Sequence, residues 1–185
     1  MAQIFISFVH EEEEIAEVVQ RFLQDLMKKQ ADVFLSSDKW KIYAGEIWLK
    51  RIYNELKEAR VVLLMLSPLS VARPWVNFEA GAAWLADKII IPVCFGGLSK
   101  GSLPKPYSSI QAIDLYDRND QYYLITSVCH HLRLLGPPPA PLRQLLTDHE
   151  SDSDLKPYDD LRRALENFAH SLTTRKDGKG SPTDQ

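Results

Sequence analysis

Trp75 and Glu79 are the residues of this 185-residue chain whose types and spacing point most directly to chemistry. Four positions apart on a helix, an indole and a carboxylate lie one turn apart on one face. That pairing suits cleavage of a glycosidic bond whose leaving group is already cationic. Such a group departs as a neutral ring without a proton, so the two carboxylates of ordinary glycosidases are not needed. One carboxylate can stabilise the oxocarbenium-like sugar or bond to it. The indole can hold a flat positive ring by stacking and cation–π attraction, on the order of 0.5–2 kcal/mol. The bland alternatives are that Glu79 serves the helix dipole, worth ~0.3–1 kcal/mol, and that Trp75 is a core anchor.

Other chemistries find less support. His130 and His131 are adjacent, so on a helix they point about 100° apart, and His10, His149 and His170 have no partner at ligand spacing. No metal site is expected. The two cysteines, Cys94 and Cys129, are far apart and lack CxxC spacing, which excludes a disulfide scaffold or a four-cysteine zinc site and suits a reducing compartment. Cys94 reads as a small buried hydrophobe. The run from Glu11 to Glu14 reads as a solvated acidic first turn favoured by the helix dipole.

Composition narrows the classes further. With 45% hydrophobic and 25% charged residues the chain is neither disordered nor fibrous. A net charge of −3 gives no reason to expect nucleic acid as a direct partner. The apolar run around Val61–Leu66 falls far short of the ~20 residues a membrane span needs, and no basic-then-apolar leader opens the sequence. A cytoplasmic protein without a membrane partner is expected.

The elements that must position Trp75 and Glu79 alternate along the first two thirds of the chain. Apolar runs at residues 3–8, 32–35, 60–66, 88–94 and 110–115 read as strands, and three of them are nearly continuous, as in parallel strands covered on both faces. Between them, Ile15, Val18, Val19, Phe22, Leu23 and Leu26 recur at helical spacing. Trp48, Ile52, Leu56 and Ala59 form a second stripe, and Pro74 opens a third helix. Residues 117–135 are amphipathic and close the sheet as a final helix. Ala80, Gly81, Ala82 and Ala83 would let the third helix sit close to the sheet. The pattern predicts an α/β flavodoxin-like three-layer sandwich, a five-stranded parallel sheet in the order 2-1-3-4-5.

In such a sheet ligands bind beyond the carboxyl ends of the strands, where the order reverses. The first strand delivers Phe8, Val9 and His10 there, the second Ser36, Ser37, Asp38, Lys39 and Trp40, and the third Ser67 and Pro68. Phe8 is either core or pocket. The four residues Ser36, Ser37, Asp38 and Ser67 either cap turns or meet a ligand. Trp40, in a polar loop, meets a ligand or a second subunit, whereas Trp48 lies on the buried stripe of its helix.

Beyond the sheet, residues 136–141 are a stiff Pro-rich spacer. Leu161, Leu165, Phe168 and Leu172 share a stripe, so a late helix packs back or binds a partner. Residues 175–185, rich in Lys, Gly, Asp and Pro, are expected to be disordered. The expected organisation is therefore a domain at 1–135, a spacer and helical extension at 136–174, and a tail.

Several ordered motifs together resemble a Toll/interleukin-1 receptor (TIR) domain of the bacterial type over residues 3–135. They are Phe5-Ile6-Ser7-Phe8, Gly45 through Trp48, Leu66-Ser67-Pro68, Pro74-Trp75-Val76-Asn77-Phe78-Glu79 with Ala80-Gly81-Ala82-Ala83-Trp84, and Ile91-Pro92-Val93-Cys94-Phe95-Gly96-Gly97. Family members commonly carry proline where Ala44 precedes Gly45, and one animal member has basic residues where this chain has Val9 and His10.

The resemblance implies a function. Many bacterial and plant TIR domains, and one animal axon-degeneration member, are NAD+ hydrolases whose catalytic residue is the glutamate four after a tryptophan. Glu79 is then the catalytic residue, with Trp75 beside it, and nicotinamide is the cationic ring that leaves. Phe8, Trp40 and Trp48 fall where relatives line the nucleotide pocket. Residues 37–45 match a loop that gates the site and mediates assembly. The expected substrate is NAD+, with no cofactor, giving nicotinamide and ADP-ribose or a cyclised isomer. TIR–TIR self-association is the expected activator, in bacterial anti-phage defence, with a protein or nucleotide-responsive effector downstream. The competing expectation is a non-catalytic adaptor acting by TIR–TIR contacts. A phospho-receiver is disfavoured because Ser67 stands where its aspartate belongs and strand five leads to Asp114 rather than lysine. A nucleoside deoxyribosyltransferase, which also uses a catalytic glutamate, is the remaining α/β alternative.

Overall fold

Every residue of the strand Val61–Leu66 is fully buried, and its alternate side chains feed two different cores. Val61, Leu63 and Met65 pack into one apolar layer, Val62, Leu64 and Leu66 into the other. Successive side chains of a strand point to opposite faces. A strand covered on both sides must therefore be apolar throughout, which is what its sequence shows.

A computed structural model describes residues 4–27, 30–36, 48–134 and 152–177. The strands are β1 (Ile4–Ser7), β2 (Val33–Leu35), β3 (Val61–Leu66), β4 (Ile89–Cys94) and β5 (Ile113–Asp114). They form one parallel sheet in the order β2-β1-β3-β4-β5, as the alternation of elements predicts. Ile4 is in register with Val33 on one side and Val61 on the other. Strand β5 is shorter than the 110–115 expected. A helical turn at Tyr107–Ser109 uses the preceding backbone, and Ile113 and Asp114 then pair with Val93 and Cys94.

The helices are α1 (Glu13–Leu26), α2 (Trp48–Glu58), α3 (Pro74–Leu85), α4 (Arg118–Leu132) and α5 (Asp152–Asp177). Side chains of α1, α4 and α5 fill the layer that includes Leu63, and those of α2 and α3 fill the layer that includes Leu64. Asp117 caps α4 by accepting from the amides of Asn119 and Asp120.

Helix α5 packs back into the domain. Tyr158, Leu161 and Leu165 are buried in the α1-side core, with Tyr158 edge-on to Phe22 at 5.2 Å. Burial pushes the Tyr158 hydroxyl up to about 12. Arg118 of α4 pairs with Asp159 at 3.2 Å. Farther along, Phe168 meets Phe95 just past β4, and a Cβ on Gly96, whose φ is +63°, would lie 3.2 Å from the Phe168 ring. The helix runs through Asp177, past the start of the stretch expected to be disordered. The expected spacer at 136–141, the loop at 37–45 and the tail beyond 177 lie outside the described residues.

Among the described residues, no helix is long and apolar enough to cross a membrane, and no group of three His, Cys, Asp or Glu is placed to hold a metal ion.

Candidate functional site

Helix α3 opens where the sequence signals it, with Arg73 extended at the N-cap and Pro74 in the first turn. Val76, Ala80 and Ala83 face the sheet. Small side chains do let α3 approach the sheet, but only in part as expected. Gly81 points outward, and a Cβ placed on it would meet nothing within 4 Å. Alanines at positions 80 and 83 face the sheet because they lie three or four residues from Val76 and Glu79; Gly81 is rotated away.

Glu79 lies on the inward face of α3 and is 0% exposed. The hydroxyl of Ser36 donates a hydrogen bond to its Oε1. Ser36 follows β2 directly, is 2% exposed, and donates its amide to the carbonyl of Ile6 at 2.9 Å. The carboxylate therefore sits at the carboxyl ends of β2 and β1, beside the point where strand order reverses. Glu79 also forms part of the wall of a largely apolar cavity of about 260 Å3 between α2 and α3, shared with Lys50, Ile52, Tyr53, Leu56, Phe78 and Ala82. Its side chain is nonetheless sealed from solvent, so anything that reaches the carboxylate must displace neighbouring groups.

Trp75 is half-buried and stacks on Phe78, with ring centroids 5.5 Å apart and planes inclined by 27°. Phe78, an exposed aromatic that sequence reasoning did not single out, both carries that stack and lines the Glu79 cavity. Its signal was present: an aromatic one position before the acid and three after Trp75 shares their helical turn.

A second hydroxyl–carboxyl pair lies across β1. Ser67, at the exit of β3, donates to Oε1 of Glu12 and accepts from the amides of Leu69 and Ser70 at 2.9 and 3.1 Å. Ser70 returns the contact, accepting the amide of Ser67 at 2.8 Å. Glu12 is 2% exposed, which corrects the expectation that residues 11–14 form a solvated face. Burial raises its pKa to about 7, against the hydrogen bonds from Ser67 and Ser70 and the charge of Arg73; Glu11 adds to the rise. The correction has a plain cause. Glu12, Ile15, Ala16 and Val19 stand at i, i+3, i+4 and i+7, so Glu12 extends the buried stripe of α1 backwards by one turn. Nearby, Glu11 pairs with Arg73 at 2.7 Å and ties the start of α3 to the same segment.

None of the other expected site residues is seen to join the Ser36–Glu79 contact among the described residues. Phe8 is buried in the α1-side core with Ile4 and Ile6, on the opposite face of the sheet from α3. His10 is exposed, its Nδ1 3.6 Å from Glu13. Trp48 opens α2. Ser37 and Trp40 lie outside the described residues. Of the expected residues, Ser36 and Glu79 are brought into contact, while Ser67 is committed to Glu12.

A family model described as the TIR domain matches residues 4–125. Among solved structures, a metazoan TIR-STING receptor from C. gigas in complex with 2',3'-cGAMP is 20% identical, with a TM-score of 0.50. That match covers 69% of this chain and 39% of the receptor chain. The TIR domains of the activated Roq1 resistosome, recognising the effector XopQ, are 13% identical over 95% of this chain and 99% of theirs, with a TM-score of 0.44. The CMP N-glycosidase BcmB of Clostridium botulinum is 15% identical over 67% of this chain and 97% of its own, with a TM-score of 0.45. No functionally curated protein matches the chain. At these identities the likeness to the receptor is one of fold.

Proposed function

The chain belongs to the TIR-domain family, and on that premise we propose that it is an NAD+ glycohydrolase with Glu79 as its catalytic residue. The bond between C1′ of the ribose and the nicotinamide nitrogen breaks with its electron pair passing to the ring, so nicotinamide leaves neutral. The Glu79 carboxylate faces the positive charge that develops at C1′. Water then adds at C1′ and loses a proton, giving ADP-ribose; an adenine nitrogen in place of water gives a cyclic isomer. Trp75 and Phe78, stacked on each other with Phe78 in the cavity wall, supply the aromatic surface for the nicotinamide ring. NAD+ is the substrate, and this chemistry calls for no cofactor.

The observation that carries the reading is a fully buried glutamate, oriented by a serine hydroxyl at the strand tips, in the wall of a largely apolar cavity. At about 260 Å3 the cavity is below the roughly 300–1,000 Å3 of drug-sized ligand sites, so it fits the nicotinamide end of the dinucleotide rather than the whole. A sealed carboxylate also supports a resting form of low activity. Self-association through TIR–TIR contacts is the proposed activator, in the bacterial cytoplasm, as part of anti-phage defence with a nucleotide-responsive effector downstream. Nicotinamide release from NAD+ should rise faster than linearly with protein concentration; strict proportionality with no lag argues against activation by assembly. Full turnover in Glu79→Ala overturns the enzyme.

A second reading, a non-catalytic TIR adaptor, is favoured by the outer surface of α3. Trp84 and Leu85 are exposed there, the latter at 90%, and border one cleft with Tyr107 and Ile110. A cluster of exposed apolar side chains of this kind marks an interaction surface. The adaptor predicts oligomers, no loss of NAD+ at any concentration, and signalling indifferent to Glu79→Gln.

A further inference from the structure

Ser36 does more than follow β2. We propose that Ser36 is a positioning residue for Glu79, its hydroxyl orienting one carboxylate oxygen and holding the buried group in its ionised form. The proposal rests on the glycohydrolase reading of the site and adds to it the residue that prepares the carboxylate.

Three features of the geometry lead here. The backbone of Ser36 is anchored by its amide hydrogen bond to Ile6, immediately beyond the Ile6–Leu35 register pair, so its Cα cannot drift from the sheet. Its side chain has one heavy-atom torsion, so with the backbone held the oxygen has three staggered positions, and the contact with Glu79 selects one of them. That oxygen donates to Oε1 of Glu79, forty-three residues away, across the gap between the sheet and α3. Helix α3 sets where Cα of Glu79 lies; the hydroxyl holds one oxygen of its carboxylate.

The donor is also of the right kind. A hydroxyl stabilises a carboxylate without bringing a positive charge of its own, so this bond leaves the group's negative charge intact. Glu12 shows what burial does to a carboxyl in this fold: even with a serine donor its proton is held to about pH 7. A buried carboxylate that must stay ionised therefore depends on each donor it has. Lys50 and Tyr53 of α2 are the other titratable side chains at the cavity among the described residues, and the variants below leave both in place.

The test uses the full chain as wild type, Ser36→Ala, Ser36→Thr and Ser36→Cys. Steady-state nicotinamide release is followed from about pH 4.5 to 8.5, and the Glu79 side-chain carboxyl is titrated by carbon-13 NMR without substrate. A hydrogen bond to a charged group contributes enough to move a titration by roughly one to two pH units when it is lost. Ser36→Ala should shift both the acid limb of kcat and the Glu79 titration upward by that amount. At neutral pH its kcat should fall on the order of tenfold with KM changed by less than about twofold. Ser36→Thr should restore the acid limb, and Ser36→Cys, a weaker donor of similar shape, should fall between. An unmoved titration in both Ser36→Ala and Ser36→Cys overturns the proposal, as does a threonine variant no better than alanine. Wild-type protein that releases no nicotinamide overturns the glycohydrolase reading instead, while the substrate-free titration still decides the role of Ser36.

Discussion

Glu12 accepts a hydrogen bond from Ser67, fifty-five residues later in the chain, at the junction between β1 and the exit of β3. The same serine oxygen takes the amide hydrogens of Leu69 and Ser70, so one side chain closes the β3–α3 turn and tethers the start of α1. With Ser36 and Glu79 on the other flank of β1, the strand tips at the sheet's reversal point carry two hydroxyl–carboxyl clasps. One holds the acid proposed for catalysis. The other holds an acid with a displaced titration.

That displacement has a consequence for stability. The pKa of Glu12 is raised from 4.5 to about 7, chiefly by burial, so the native state binds its proton more tightly than the unfolded chain does. The contribution is fully present below about pH 4.5 and is lost as pH rises through 7. Wild type should therefore lose Tm between pH 5 and 8 relative to Glu12→Gln, which keeps an acceptor for Ser67 but has no proton to lose. Parallel Tm profiles for the two proteins would show that Glu12 does not titrate in this range.

Glu79→Gln separates charge from packing. Glutamine keeps an oxygen for the Ser36 hydroxyl while removing a buried charge, so its Tm should equal or exceed that of wild type. Turnover of NAD+ should fall by roughly a hundredfold or more, the scale for losing an essential charged group in a water-excluded site. Calorimetry beside a nicotinamide assay checks both halves; a variant that loses stability and activity together would point to a structural role for the acid.

Gly81 occupies a helix interior with open space around it and no φ that requires glycine. Gly81→Ala should raise stability by roughly 0.5–1 kcal/mol through helix propensity and a less flexible unfolded chain. Denaturant midpoints measure it. Destabilisation would mean that the outer face of α3 is covered in the folded protein.

Helix α5 is tested through Leu161, which is fully buried between α5 and the α1-side core. Leu161→Ala should cost about 2–5 kcal/mol, as large-to-small changes in packed cores do. The urea midpoint should drop with no second transition. A neutral effect would return α5 to the role of a detachable appendage.

Much of this protein could be read along the chain. The uninterrupted apolar residues from Val61 to Leu66 demanded cover on both faces, and the spacing of elements led to the order β2-β1-β3-β4-β5. Pro74 and the small residues after it placed Trp75 and Glu79 on one helix near the strand tips. These are local properties: strand and helix periods, and a proline that has no amide to give, act over a few residues and need no distant partner.

Tertiary structure alone decided which side chains meet. Nothing near Ser36 in the chain says that its hydroxyl will reach a carboxylate forty-three residues on, or that Ser67 will be taken by Glu12 instead. Four consecutive glutamates look alike until one of them continues a buried stripe, and four small residues look alike until Gly81 turns outward. Burial and pairing are set by what other elements bring to the same place, and that depends on how the sheet and the helices around it pack.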